Sequence, residues 1–386
     1  KYYGRLYQHH IDVIERSLTP ALEAIGRHLD SSEAIRANLG ELVDHLRGRG
    51  HEVLLASMHP VPPHLSDCSA PLAEEITPGA TSVRTLSQAV GRARRLFREH
   101  RPDVVCAYYM ASYGMVAALS GVRPWVGAAA GGDVLVDPFD GLLTRIRNGL
   151  VMRRVLRRAS GMLAWAPHVG ARLEHLGVPR DRILVQPRGV NRILFPYREP
   201  RARASGEPLR VLSMRWLKPL YRVETLVESL DRLARQNVPF EARIGGDGPE
   251  RERLETMVRE GGLADRVAFL GALEPDDVPE TLRWADVYVS TSSNDGASSS
   301  LFEALSVGVF PVVTDIAANK ELIRPGETGE LFPVGDAGAL AQVLGRLAAD
   351  DAGRREVIKA SRELVAERLD YDRNMRRIEA FLKAVA

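Results

Sequence analysis

Only two cysteines, Cys68 and Cys106, occur in 386 residues. They supply neither a disulfide framework nor a zinc-ligand spacing, and they fit a reducing compartment. An excess of one charge is also missing. The 52 basic and 50 acidic residues nearly cancel to a formal +2, so nothing global argues for nucleic acid and any positive patch is local. No apolar run approaches a membrane span, and no signal-peptide pattern opens the chain. The expectation is a cytoplasmic protein with at most peripheral membrane contact. The first residue is Lys1 rather than Met, which points to a trimmed start. A Gly-x-Gly-x-x-Gly turn after a strand is lacking too, and Gly245-Gly246-Asp247-Gly248 does not have that spacing. Alternating strands and helices alone are thin support for a dinucleotide-dependent oxidoreductase. Neither a Ser-His-Asp arrangement nor a residue cluster with metal-ligand spacing stands out.

What remains is an ordinary globular composition, 45% hydrophobic and 26% charged, in a chain longer than one typical core. Two domains are the default. The first thirty residues are hard to place, with Ala21 to Ile25 a weak strand. From Ser32 apolar residues recur at helical spacing up to Gly48 and Gly50. A strand over 51–56, a Pro-rich loop over 60–78 and a helix over 84–100 follow. Next come a strand ending near Ala107, a helix over 112–119 and a strand over 125–129. Six arginines fall between Arg145 and Arg158 with no acid among them. They read either as a contact for anionic lipid or a phosphorylated acceptor, or as a solvated face above the stripe of Leu143, Ile146, Leu150 and Val155. A strand over 162–166, a helix over 169–176 and a strand over 183–186 close this half. Residues 197–208 lack periodicity and read as an interdomain linker.

The second half restarts the alternation at residue 210, and the pattern throughout predicts parallel sheets. Its most informative stretch is 285–321: a buried strand over 287–289, a polar loop over 290–298, a helix from about Ser299 to Leu305, and a buried strand over 310–314. Ligands of such sheets bind at the carboxyl ends of the strands. The loop carries Asp295 and the helix Glu303. Asp295 would precede the helix, where free N–H groups favour an anion. Glu303 would lie about 12 Å further if the whole interval were helical. That span suits one acid on sugar hydroxyls and the other on ribose hydroxyls, with phosphates between. The plainer reading makes Asp295 a helix cap and Glu303 a solvated residue.

Several segments together resemble the retaining glycosyltransferases of the GT-B fold, glycosyltransferase family 4. They are Leu-Gly-Val-Pro-Arg-Asp-Arg-Ile-Leu-Val-Gln-Pro-Arg-Gly-Val-Asn (176–191), Gly-Gly-Asp-Gly-Pro-Glu (245–250), Leu-Ala-Asp-Arg-Val-Ala-Phe-Leu-Gly (263–271) and the acids Asp295 and Glu303. Segments 103–114 and 131–135 resemble one branch of that family. The resemblance implies an α/β chain of two Rossmann-like parallel-sheet domains facing across a cleft. Residues 1–197 would bind the acceptor and 198–365 the nucleotide sugar, with a helix over 366–386 packing back on the first domain.

The resemblance also implies a nucleoside-diphosphate-sugar donor, UDP- or GDP-linked, and transfer with retention; with no metal-ligand cluster, basic side chains and helix amides would handle the diphosphate, so no metal or other cofactor is expected. Asp295 stands where the family has glutamate. Arg215 falls on the phosphate-binding arginine, where fixed charge would neutralise the leaving diphosphate. The partnering lysine aligns onto Tyr221, leaving Lys218 or Arg222 as substitutes, with Lys218 preferred. A histidine common in relatives falls on Ala130, and Asp133 in the same loop is the candidate for sugar or acceptor contact, or else a helix cap. The donor set is completed by Gly246, Leu270, Gly296, Ala297, Ser298 and Ser299. Cys106, Tyr108 and Tyr113 would face the cleft, Tyr108 and Tyr113 towards the acceptor, although the two tyrosines read more readily as packed aromatics. Two alternatives stay open: a GT-B sugar-nucleotide epimerase or hydrolase, and a non-catalytic nucleotide-sugar-binding protein.

Overall fold

The structure is a computed structural model that describes residues 42–57, 63–71, 83–129, 131–135, 152–204 and 206–386. The weak strand at Ala21 to Ile25, the proposed cap Ser32, Ala130, Arg145 and Arg147 lie outside these residues. The chain divides into two compact units, Lys1–Gln186 with Met375–Ala386, and Pro187–Asn374.

In the first unit, β3 (Val105–Tyr108), β4 (Trp125–Ala129), β5 (Gly161–Ala164) and β6 (Ile183–Val185) form a parallel sheet in that order. The side chains of β4 and β5 are buried throughout, which is why both read as unbroken apolar runs. The small residue Gly127 is needed where β4 passes between the Met110 and Met162 sulfurs, each under 3 Å from where a Cβ would stand. A two-stranded parallel sheet joins β1 (Leu55–Ser57) to β2 (Ser69–Pro71). The Pro-rich segment is therefore not only loop: it holds a 3-10 turn at Pro63–Cys68 and then β2. Pro71, as the last residue of a short strand, does not interrupt the pairing that precedes it. The helix expected over 112–119 also differs. A π-helical turn at Tyr109–Gly114 comes first, then a helix at Met115–Ser120. Tyr109 enters that turn at a φ of 69°, a conformation non-glycine residues seldom adopt.

The second unit holds a six-stranded, all-parallel sheet ordered β12-β11-β10-β7-β8-β9. Its strands are β7 (Leu209–Met214), β8 (Phe240–Gly245), β9 (Val267–Gly271), β10 (Val287–Ser290), β11 (Phe310–Thr314) and β12 (Glu330–Phe332). Both faces are covered. Val287 and Val289 of β10 join the core formed with the helices Val223–Arg235 and Ala337–Ala349. Tyr288, between them in sequence, joins the opposite core with Leu301 and Leu305 of the helix Ser299–Val307. Alternation of side chains along a strand feeds two cores from one apolar run.

The segment read as a linker is not one. Arg201 and Arg203 are drawn into the second unit by acids far along the chain. Arg201 donates to Asp286 at 3.0 Å and Arg203 to Asp351 at 3.4 Å, while the buried Arg354 reaches Asp351 at 2.7 Å. Burying a carboxylate as deeply as Asp286 is costly unless such partners offset it. The division between units accordingly falls at Gln186 and Pro187, earlier than the expected 197, and again at Asn374 and Met375, later than the expected 365.

The last helix, Tyr371–Val385, supplies Met375–Ala386 to the first unit. There Phe381 closes on Gly161, and Glu379 gathers His51 at 3.0 Å, Arg49 at 3.3 Å and Lys383 at 2.7 Å. His45 lies 3.6 Å from the same carboxylate. These donors, His51 first and Lys383 next, hold the Glu379 carboxyl at about 2 against the cost of its burial.

Candidate active site

The helix Ser299–Val307 starts where β10 has delivered the chain to the carboxyl edge of its sheet. Its N-cap is Ser298, whose hydroxyl accepts from the Leu301 N–H at 3.4 Å. Asp295 is thus not the cap. Nor does the interval from Asp295 to Glu303 run as helix. Only Ser299 to Glu303 is helical, about 6 Å of rise. The carboxylate of Asp295 turns to Arg215 instead.

Arg215 follows β7 and is clamped from several sides. Its Nη2 donates to Asp295 Oδ2 at 2.5 Å, and its Nη1 to the Ser298 hydroxyl at 2.7 Å and the Ser300 hydroxyl at 3.3 Å. The Tyr221 ring stacks beneath the guanidinium, with 4.4 Å between Cζ and the ring centroid. Tyr288, rising from the buried β10, bonds the Ser300 hydroxyl at 2.7 Å and so orients it. The other Asp295 oxygen accepts from the Gly296 N–H at 2.9 Å. Burial alone would disfavour charge on Arg215, whose side chain is 9% exposed. The Asp295 carboxylate, with smaller help from Tyr221 and Tyr288, outweighs burial and holds the guanidinium charged beyond its usual range. Burial likewise raises the Tyr288 phenol, against the opposing pull of Arg215, so it stays a neutral hydrogen-bonding group.

The glycine turn after β8 fixes the backbone from which Arg215 projects. Arg215 N donates to Gly245 O at 3.2 Å and Leu217 N to Asp247 O at 2.8 Å. Gly246 sits at a φ of 117°, and a Cβ there would stand 2.2 Å from the Arg215 carbonyl oxygen. Only glycine permits that approach.

The structure therefore brings together Arg215, Asp295, Gly296 and Ser298, with Gly246 behind them. Ser299 opens the helix and Glu303 lies one turn into it, half-buried. Ala297 packs against the core beneath that helix. Leu270 is separate: β9 lies three strands from β10 in the sheet, about 14 Å, and its side chain is 36% exposed. Of the residues expected to supply a second cation, Lys218 and Arg222 each have a neighbour of their own. The Lys218 ammonium lies over the Trp216 ring at 5.2 Å, and Arg222 turns to Glu224 at 3.6 Å.

Tyr108, Tyr113 and Asp133 belong to the first unit. The buried Tyr108 packs on Trp165 with ring centroids 5.9 Å apart, and the Tyr113 hydroxyl meets that of Ser57 at 3.3 Å. The backbone of Asp133 lies in the short helix Gly132–Leu135, and its side chain is outside the described residues. Desolvation pushes the thiol of the partly buried Cys106 up to about 12.

Sequence reasoning missed Tyr288, Ser300 and Arg188. Tyr288 looked like one more strand residue, and its phenol flanked by valines was the available sign that a polar group waited at the end of that side chain. Arg188 donates from Nη2 to the Ser299 hydroxyl at 3.1 Å. Its sign was a charged residue set between Pro187 and Gly189 just past a strand end.

The chain matches two family models in succession: a glycosyl transferase 4-like domain over residues 34–189, and glycosyl transferases group 1 over residues 198–364. It is 30% identical over 240 residues to the putative colanic acid biosynthesis glycosyltransferase WcaL of Salmonella typhimurium, covering 60% of this chain and 59% of that protein. It thus spans under two thirds of that curated relative. Among solved structures, it resembles Anabaena HepE in complex with UDP and glucose, at a TM-score of 0.71 and 18% identity, with 89% of this chain and 95% of that one covered. Sucrose-phosphate synthase from Thermosynechococcus elongatus gives 0.72 and 21%, with 90% and 92% covered. At these identities the likeness establishes the fold. Among the described residues no helix is long and apolar enough to cross a membrane.

Proposed function

Because the chain belongs to the group 1 glycosyltransferases of GT-B fold, we propose that it moves a sugar from a UDP- or GDP-linked donor to an acceptor hydroxyl or amine with retention of configuration. The observation that carries this reading is the Arg215 clamp. A guanidinium held charged, ringed by hydroxyls and placed at the start of a helix is suited to a diphosphate. As the bond from the anomeric carbon to the phosphate oxygen breaks, negative charge gathers on that oxygen, and Arg215 offsets it without reorganising. The acceptor bonds to the same face of the sugar and passes its proton to the departing phosphate. No protein nucleophile enters this scheme. Metal independence is part of the proposal and rests on this basic, hydroxyl-rich surrounding. Glu303 holds the ribose hydroxyls; Gly296, Ala297 and Ser298 border the sugar. The UDP and glucose bound by HepE support a hexose donor of this type.

The test combines a panel of UDP- and GDP-sugars with candidate acceptors, sugars and small natural products among them, and the anomeric configuration of the product read by NMR. The expected result is acceptor-dependent transfer, with Arg215→Ala lowering kcat far more than donor affinity. A loss confined to KM removes the transition-state role. Interconversion of donors without acceptor would establish an epimerase, and binding without turnover a binding protein; either overturns the proposal.

A further inference from the structure

Retaining chemistry on a diphosphate is better served by two cations than one, and the position expected to supply the second holds Tyr221. That tyrosine stacks under Arg215. Lys218 and Arg222, the neighbouring substitutes, are directed to Trp216 and Glu224. A different arginine reaches the start of the Ser299–Val307 helix. Arg188 stands just past β6, in a backbone pinned by Gly189 at a φ of 88°, whose missing Cβ would lie 2.5 Å from the Leu369 carbonyl oxygen. The next residue, Val190, donates to that same oxygen at 2.8 Å. From this fixed point the half-buried Arg188 side chain extends to Ser299, 3.1 Å away.

Two guanidinium groups thus end on three consecutive hydroxyls: Arg215 on Ser298 and Ser300, and Arg188 on Ser299 between them. The two arrive from separate parts of the second unit, one after β6 and one after β7. A second observation points to a ligand at this place. The Arg215 side chain is more than nine-tenths buried, and its Nε–H has no hydrogen-bond partner among the described residues. A buried donor left unmet costs stability unless something supplies the acceptor. On a guanidinium, Nε and Nη2 form one edge; Nη2 donates to Asp295 at 2.5 Å, so the Nε–H is the position on that edge that a phosphate oxygen can meet.

We propose that Arg188 is the second phosphate-binding cation of this site, acting with Arg215 on the diphosphate of the donor in place of the lysine whose position Tyr221 occupies. The inference rests on the nucleotide-sugar reading above. On binding, the Arg188 guanidinium exchanges or shares its Ser299 hydroxyl for a phosphate oxygen. The Ser299 hydroxyl, released as an acceptor, can donate to the same phosphate. Tyr221 in turn fixes the plane of Arg215 from below.

Calorimetric titration separates the possibilities, using UDP, GDP, UMP, GMP, uridine and guanosine against the wild type, Arg188→Ala, Arg188→Lys and Lys218→Ala. The expected result is that Arg188→Ala weakens the preferred diphosphate about 10- to 100-fold, as loss of a charged hydrogen bond implies. The monophosphate loses less, the nucleoside is unchanged, and Arg188→Lys recovers part of the loss. Lys218→Ala leaves diphosphate affinity near wild type. An Arg188→Ala variant that binds the diphosphate as tightly as wild type overturns the assignment. So does one that loses nucleoside and diphosphate affinity equally, since the residue would then only support the fold. A loss in Lys218→Ala without one in Arg188→Ala moves the role to Lys218. If Arg188→Ala does not fold, Arg188→Gln, which keeps a donor for Ser299 and drops the charge, carries the comparison. A wild-type protein that binds neither diphosphate defeats the nucleotide-sugar reading itself, an outcome distinct from any confined to the Arg188 variants.

Discussion

Replacing Asp295 by alanine would leave Arg215 with its charge and without its counter-ion. At a separation of about 4 Å between charge centres and an effective dielectric near 20, the pair attracts by about 4 kcal/mol. Removing one partner of a fully buried pair costs about 3–5 kcal/mol. Here the loss is smaller. Asp295 is 17% exposed, so water can enter, and Arg215 keeps the hydroxyls of Ser298 and Ser300 and the Tyr221 face. About 2–3 kcal/mol is the expected destabilisation of the second unit without ligand. For a unit of this size that lowers the melting temperature by roughly 5–10 °C, measurable by scanning calorimetry. A ligand carrying phosphate should then replace the missing anion. UDP or GDP at saturation is expected to raise the melting temperature of Asp295→Ala more than that of the wild type, because in the wild type the ligand must share Arg215 with the carboxylate. Loss of sugar transfer should accompany this gain, since the acid is proposed to border the donor sugar. An Asp295→Ala protein that melts with the wild type in the absence of ligand would refute the clamp. A ligand-induced shift no larger than that of the wild type would show that the carboxylate and phosphate do not compete for the arginine.

Two further outcomes can be checked directly. Glu303→Ala is expected to weaken binding of the nucleoside diphosphate about tenfold through loss of a charged hydrogen bond to ribose, and calorimetry showing equal affinity would remove that role. Glu379, held at about 2 against an ordinary 4.5, stabilises the first unit fully above about pH 4.5, and that contribution is lost as pH falls from 4.5 towards 2. After allowance for the exposed Arg49 and Lys383, it is on the order of 2 kcal/mol. Glu379→Gln should flatten the acid limb of the melting curve in that window; an unchanged limb would place the acid sensitivity elsewhere.

Much of the second unit was readable because its strands are buried on both faces. Phe310 to Thr314 was placed to the residue, and the helix that opens at Ser299 to within two. Both cores take alternate residues of one strand, so the apolar run is long and its ends are abrupt. The misreadings share a different cause. Arg201 and Arg203 looked like linker because their partners, Asp286 and Asp351, are 85 and 148 residues away. Periodicity carries no information about such pairs. Pro71 hid a strand, since a short strand tolerates proline at its end. At the site, Asp295 and Glu303 were legible as charges in a spacing and Arg215 through the resemblance, but the partnership of Arg215 with Asp295 was not. It needs the turn at Gly245 to Gly248 to aim the arginine, and nothing in a linear pattern says where a side chain is aimed. The reach of Arg188 to Ser299, 111 residues on, was hidden for the same reason.

The three hydroxyls at Ser298, Ser299 and Ser300 have a further consequence. A hydroxyl both accepts and donates, and it changes from one to the other by rotating a single proton. In the ligand-free protein these oxygens accept from guanidinium groups. With an anion in place, each can turn its proton outward without moving a heavy atom. The serines behave as a solvent frozen to the scaffold. Facing a bound anion they would respond to arriving and departing charge as water would, with almost none of the reorientation that bulk water requires, and without being displaced by it.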